Sequence, residues 1–111
     1  MKVVLVKPNK QAEITEIDST LEAMQEIVNG HIEAVYPFDD PVVLVCNEEG
    51  KFNGCLPNRA LRNEQGEIYD ILFGTFFICG LGVDDFDSLT DKMAEKYKDL
   101  FHDVEFMYVG G

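Results

Sequence analysis

The stretch "IYDILFGTFFICGLG", residues 68–82, most constrains what the chain can fold into. Almost every position is apolar, aromatic or β-branched, as in a strand that packs on a core, and Gly74 interrupts the run in the way a bulge or a close backbone approach does. The other runs follow the same grammar. "KVVLVKPNKQAEITEID" alternates apolar and polar positions on both sides of Pro8-Asn9-Lys10, predicting a β-hairpin with Val4, Val6, Ile14 and Ile17 toward the core. "IEAVYPF" and "VVLVCNEEGKFNGC" give further strands, separated by Asp39-Asp40-Pro41, whose proline is excluded from a central strand. Asn47-Glu-Glu-Gly50 and Asn63-Glu-Gln-Gly66 share the chemistry of a type I turn followed by a left-handed position, which explains their likeness without an internal repeat. "DVEFMYV" is expected to close the chain as a strand.

Two segments carry helical signals instead. Ser19 with Glu22 three residues later is a capping-box pattern, and Leu21, Met24, Ile27 and Val28 form one apolar stripe before Asn29-Gly30, which places a helix over about residues 20–29. Ser88 is expected to open the second helix, with Asp91 in its first turn and Leu89, Met93, Tyr97 and Leu100 along one face. Two helices among about six strands, joined mostly by short turns, predict an α+β domain: a mostly antiparallel sheet with both helices packed on one face. At 111 residues the chain fits one domain, residues 1–111.

Charge narrows the function. Against 21 Asp and Glu stand nine Lys and Arg, a formal charge of -12, which repels phosphate backbones and anionic membrane surfaces over a Debye length of about 8 Å. Generic nucleic-acid binding is disfavoured. No apolar run approaches the roughly 20 residues of a membrane helix, and the N-terminus lacks the apolar core and cleavage site of a signal peptide, so a cytoplasmic protein with no membrane association is expected. Cys46, Cys55 and Cys79 are odd in number, with no Cys-x-x-Cys pair and no His at ligand spacing, which argues against a disulfide framework or a zinc site; no metal or other cofactor is expected. Cys46 and Cys79 belong to apolar runs and read as buried packing residues, leaving Cys55 the most reachable thiol. His31 and His102 read as helix-end residues.

Several local patterns invite a sharper reading. Asp87, Asp91, Glu95, Asp99 and Asp103 recur at every fourth position, a spacing of about 6 Å on a helix that would imitate phosphates along a nucleic-acid strand. Lys92, Lys96 and Lys98 lie alongside, however, and make the same segment a solvated helix face. Gly110-Gly111 after a strand is how sulfur-carrier tails end, yet strand-end glycines are common without that role. Asp70 is placed on the outer face by alternation, with no partner that would make it a catalytic acid, and Gly80-Leu-Gly82 lacks the third glycine of a dinucleotide fingerprint.

Arg59 and Arg62 remain as the arginines of an acidic chain. Pro57 fixes the backbone ahead of Asn58, and Asn58 is expected to cap a short helical turn in which Arg59 and Arg62, three apart, share one side. Two outcomes are open. Their guanidinium groups pair with this domain's own carboxylates, for which Glu64, Glu67 and Asp70 are candidates, or Asn58, Arg59, Arg62, Gly74 and Thr75 form a cationic concavity for a small anionic, nucleotide-like ligand.

The segment from "GHIEAVYPF" through "VVLVCNEEGKFNGCLPNRALRNEQGEIYDILFGTFFICGLG" resembles an uncharacterised family of small acidic proteins that recurs in phages, plasmids and conjugative elements of Firmicutes and other gut bacteria. The likeness spans about residues 2–101 and is densest between His31 and Gly82. It implies a mobile-element setting and supplies no catalytic residue. Such a setting favours a non-enzymatic accessory protein that binds a small anionic ligand or a host protein over an enzyme. An acidic DNA mimic that inhibits a DNA-binding host protein is the alternative.

Overall fold

The computed structural model describes residues 1–51 and 53–105. Within them the order is β1 (Lys2–Val6), β2 (Glu13–Glu16), α1 (Leu21–Val28), β3 (Ile32–Val35), β4 (Val42–Asn47), β5 (Pro57–Arg62), β6 (Ile68–Phe73), β7 (Phe76–Leu81), β8 (Phe86–Asp87) and α2 (Asp91–Leu100). The α+β class and the antiparallel pairing hold. One sheet runs β2-β1-β7-β4-β3, with β8 continuing along β7, and β5 and β6 form a separate two-stranded ribbon. The proposed strand "DVEFMYV" and Gly110-Gly111 lie largely outside the described residues.

The central strands explain why "VVLV" runs apolar without a break. Register pairs Val4 with Ile78 and Leu44 with Ile78 on one side of the sheet, while Leu5 and Val45 meet Phe77 on the other. Both sides are covered. One core joins Val4, Val6, Leu44, Phe76 and Ile78 to Ala94, Tyr97 and Phe101 from α2 and its end, and to Leu61 and Leu72 from the ribbon. The other joins Val3, Leu5, Val43, Val45, Phe77 and Cys79 to Met24 and Val28 of α1. Each fully buried Val, Ile or Phe contributes roughly 1.5–3 kcal/mol, so the strands that carry two cores dominate the stability.

The two helices therefore lie on opposite faces of the sheet, not together on one. Ile17 packs with the α1 side, whereas Val4, Val6 and Ile14 pack with the α2 side. The helix starts also shift. Thr20, not Ser19, caps α1 by accepting the N–H of Ala23 at 3.2 Å, and Thr90, not Ser88, caps α2 by accepting that of Met93 at 3.2 Å. Ser88 instead accepts the Lys2 N–H across the sheet at 3.0 Å. In α2 the buried stripe runs through Ala94, Tyr97 and Phe101, and Leu100 is left exposed.

The two Asn-to-Gly turns share a device: the side-chain oxygens of Asn47 and Asn63 accept the N–H groups of Glu49 and Gln65, two residues on, at 2.7 and 3.0 Å. Gly50 is needed for space, because a Cβ there would stand 2.8 Å from the Phe73 carbonyl oxygen.

Candidate functional site

Asn58 and Arg59 do not sit in a helical turn. Pro57–Arg62 is strand β5, with register shifts on both sides of Arg59–Leu61. Long-range bonds outweigh the local capping signal here. The Asn58 amide donates to the Val6 carbonyl at 2.9 Å and to the Gly74 carbonyl at 2.8 Å, which ties the ribbon to β1 and to the start of β7. Both partners lie outside the immediate sequence, so no capping rule could have revealed them.

Arg59 is 1% exposed, the largest of the fully buried side chains. Its Nε donates to the Phe101 carbonyl at 3.1 Å. One terminal nitrogen donates to the carbonyl and side-chain oxygen of Asn58, at 3.2 and 2.8 Å, and the other to the carbonyls of Lys10 and Phe101, at 2.7 and 3.0 Å. A guanidinium carries five N–H groups, and these five bonds occupy all of them. The cation thus lies against the carbonyl end of α2, where the helix dipole is negative, and burial pushes its pKa below the ordinary arginine value.

Arg62 has a different environment. It is exposed, and its ion pair is with Glu105 at 2.7 Å, not with Glu64, Glu67 or Asp70. Glu105 also accepts the Ala60 N–H at 2.7 Å. Asp70 is held by Lys51 at 2.6 Å. Gly74 is brought to Asn58 but turns toward Cys55: it has φ 78, and a Cβ on it would meet Cys55 at 3.2 Å. Thr75, half-buried, follows it into β7. Asn58, Arg59 and Gly74 thus form one buried knot, while Arg62 stands at the far end of β5.

What these elements do shape is a groove. One hollow of about 430 Å³ lies between β3–β4 and β6, and a second of about 580 Å³ lies between β5 and the end of α2. They share Pro37, Leu61 and Tyr69. Large apolar side chains border them without being covered: Tyr36 is 60% exposed, Tyr69 56% and Leu100 57%. Arg59 contributes to the wall of the second hollow with its N–H groups already filled, and Arg62 contributes to its rim. The loop from Tyr36 is pinned to α2, because Asp40 accepts the Tyr97 hydroxyl at 2.7 Å and the Lys96 amine at 2.5 Å. Those bonds hold the Asp40 carboxyl below its ordinary range, and burial with the Asp40 bond pushes the Tyr97 phenol up. Phe38 stacks beside Tyr97 at 4.8 Å and completes the wall.

The sequence reading missed Tyr36, Tyr69 and Leu100. Alternation sets Asp70 outward and hence Tyr69 inward, whereas Tyr69 is the exposed one of the pair, and Leu100 was counted on the packed face of the helix. The one available signal was Tyr36 itself, an aromatic residue directly ahead of the Pro37–Pro41 loop. Nucleophilic chemistry finds no support in the groove: burial pushes the Cys46 thiol up to about 11, and Cys79, on the α1 side, up to about 12. Cys55 is half-buried and all three thiols are free. Of the acidic series, Asp91, Glu95 and Asp99 lie on α2, whereas Asp87 belongs to β8 and Asp103 follows the helix. Asp91 is bonded to Lys2, and Asp103 faces His102 at 3.1 Å. No helix among the described residues is long and apolar enough to cross a membrane.

The chain belongs to the DUF3846 family, described as a domain of unknown function, whose profile matches residues 1–102. No curated protein and no solved structure matches it.

Proposed function

We propose that this member of the DUF3846 family is a non-enzymatic accessory protein of a mobile element, and that the groove beside the β5–β6 ribbon docks a host protein. The observation that carries this reading is the grouping of Tyr36, Tyr69 and Leu100, all more than half exposed, around adjoining hollows that share Pro37 and Tyr69. Uncovered aromatic residues around a concave patch are the side chains that anchor protein interfaces. A small anionic ligand has less support, because Arg59 has given all its N–H groups to oxygen atoms of the chain and Arg62 faces Glu105. The DNA mimic has less support as well, since the five acids are divided between a strand, a helix and the segment after it.

The test uses Tyr36→Ser with Tyr69→Ser in the full chain, set against Leu21→Ser, an exposed position on α1. A host protein recovered with the native chain should be retained by Leu21→Ser and lost by the double variant. Retention by the double variant, or loss with Leu21→Ser alone, overturns the assignment of the groove.

A further inference from the structure

Charge distinguishes the groove from an ordinary apolar cleft. Its exposed basic side chains are each already held by a carboxylate: Lys51 by Asp70 at 2.6 Å, Arg62 by Glu105 at 2.7 Å and Lys96 by Asp40 at 2.5 Å. Glu33 and Glu48 line the first hollow, and Glu64 and Asp39 line the surface around the second. All four are exposed, and none forms an ion pair among the described residues. The local field is therefore negative, on a chain whose formal charge is already -12. An anion entering the groove meets repulsion, whereas a cation is drawn in and finds carboxylates without partners.

We infer that the docked segment is a basic stretch of polypeptide that alternates cationic and apolar side chains; this rests on the reading of the groove as a docking site. Tyr36 and Tyr69 serve both kinds of side chain, because an aromatic face packs against aliphatic groups and attracts Lys or Arg over its centre. Extent separates such a segment from a small cation. The adjoining hollows, of about 430 and 580 Å³, run from Glu33 on β3 past Tyr69 to Asp103 beyond α2, which is room for several side chains in succession. Exposed carboxylates border both hollows, Glu33 and Glu48 the first and Glu64 the second, and Tyr69 borders both. Positive groups on a segment that also carries apolar anchors match that lining.

Fluorescence anisotropy with defined peptides tests it. The probe is a peptide of about ten residues alternating Lys and Val, compared at near-physiological salt with one alternating Glu and Val and one alternating Lys and Ser. The Lys–Val peptide should bind the full chain most tightly and weaken by about tenfold or more with Tyr36→Ser plus Tyr69→Ser, as expected when interface anchors are truncated. Glu33→Gln with Glu64→Gln should weaken it about threefold to tenfold and flatten its dependence on salt. Equal binding of the Lys–Ser peptide, insensitive to the tyrosine substitutions, would mean diffuse attraction to an acidic surface and would overturn the inference. Preferential, tyrosine-dependent binding of the Glu–Val peptide overturns the basic partner but leaves the docking groove standing. If the tyrosine substitutions change the binding of no peptide, while the host partner is still lost with them, the partner is not a basic segment; if that partner is retained too, both readings fail.

Discussion

The two faces of the central sheet solve the same problem differently. On one, α1 alone closes the core, with Met24 and Val28 set over Val3, Leu5, Val43, Val45 and Phe77. On the other, two bodies share the cover: α2 lies over one part and the β5–β6 ribbon over another, through Leu61 and Leu72. A face covered by one element ends in a continuous surface. A face covered by two leaves a seam; the second hollow lies along that seam, and the first adjoins it on the other side of the ribbon, against β3 and β4. The comparison also explains why a cation is buried in a protein this acidic. Arg59 reaches from the ribbon to the end of α2 and to the carbonyl of Lys10 after β1, bracing the parts that the sheet alone does not hold together.

Breaking that brace should have the largest effect. Arg59→Ala leaves the carbonyls of Phe101 and Lys10 without their donor and empties a buried volume, so a loss of about 3–5 kcal/mol is expected. Urea denaturation would show it as a lower midpoint. Arg59→Lys should recover only part of the loss, since three donors on a point charge replace five on a planar fork.

The hinge of the ribbon comes next. Gly74 has φ 78 and its missing Cβ faces Cys55, so Gly74→Ala is expected to cost about 1–3 kcal/mol through backbone strain and the close contact. An equivalent Gly→Ala change at Gly54, where φ is 72 but nothing stands within 4 Å of the added methyl, separates the backbone contribution from the steric one. A loss at Gly74 no larger than that at Gly54 would show that the contact with Cys55 carries no cost.

Proton titration sharpens the comparison at the other side of the seam. Asp40 has a folded pKa below its ordinary value of 3.8, held there by Lys96 and Tyr97. A depressed carboxyl stabilises the fold above its unfolded pKa and loses that contribution as pH falls through the folded pKa. The stabilisation is thus complete near neutral pH and fades below about 4. Tyr97 has the opposite sign: its raised pKa stabilises fully below 10.0 and is lost as pH rises through the folded value. Asp40→Asn should flatten the acid limb of a plot of melting temperature against pH. An unchanged limb would contradict the account of this contact.

Arg62→Ala should have the smallest effect. Its pair with Glu105 is exposed on the arginine side, and such a pair contributes about 0–1 kcal/mol. Arg59 and Arg62 therefore differ several-fold in stability cost although three positions separate them. Thermal shift with nucleotides belongs to the same comparison, and no stabilisation of the native chain is expected. Stabilisation abolished by Arg62→Ala would restore the anionic-ligand reading.

Much of the sheet was legible because its signals are local. Strand runs such as "VVLVC" and the Asn-to-Gly turns carry their own pattern, and β4 and its turn lie where those patterns put them. The choice of faces was less legible, since a run buried on both sides has no alternation to assign to either. Adjacent capping residues, Ser19 and Thr20, left the start of α1 uncertain by one position. The Arg59 site was illegible for a different reason. Its bonds join positions 42 and 49 residues away, and nothing near Asn58 announces that Phe101 and Lys10 converge on it. Pro57-Asn58 instead carries a helix-start signal that the surrounding fold overrides.

The central claim is that function resides on the seam and not on the closed face. Incorporating a photo-crosslinking side chain at Tyr69, and separately at Leu21 on α1, tests it in the cell where the chain is expressed. Both positions are more than half exposed, so access to reagent and solvent is matched. The account predicts a discrete protein adduct from position 69, diminished by Tyr36→Ser, and none above background from position 21. An adduct formed equally from both positions, or from position 21 alone, would contradict it.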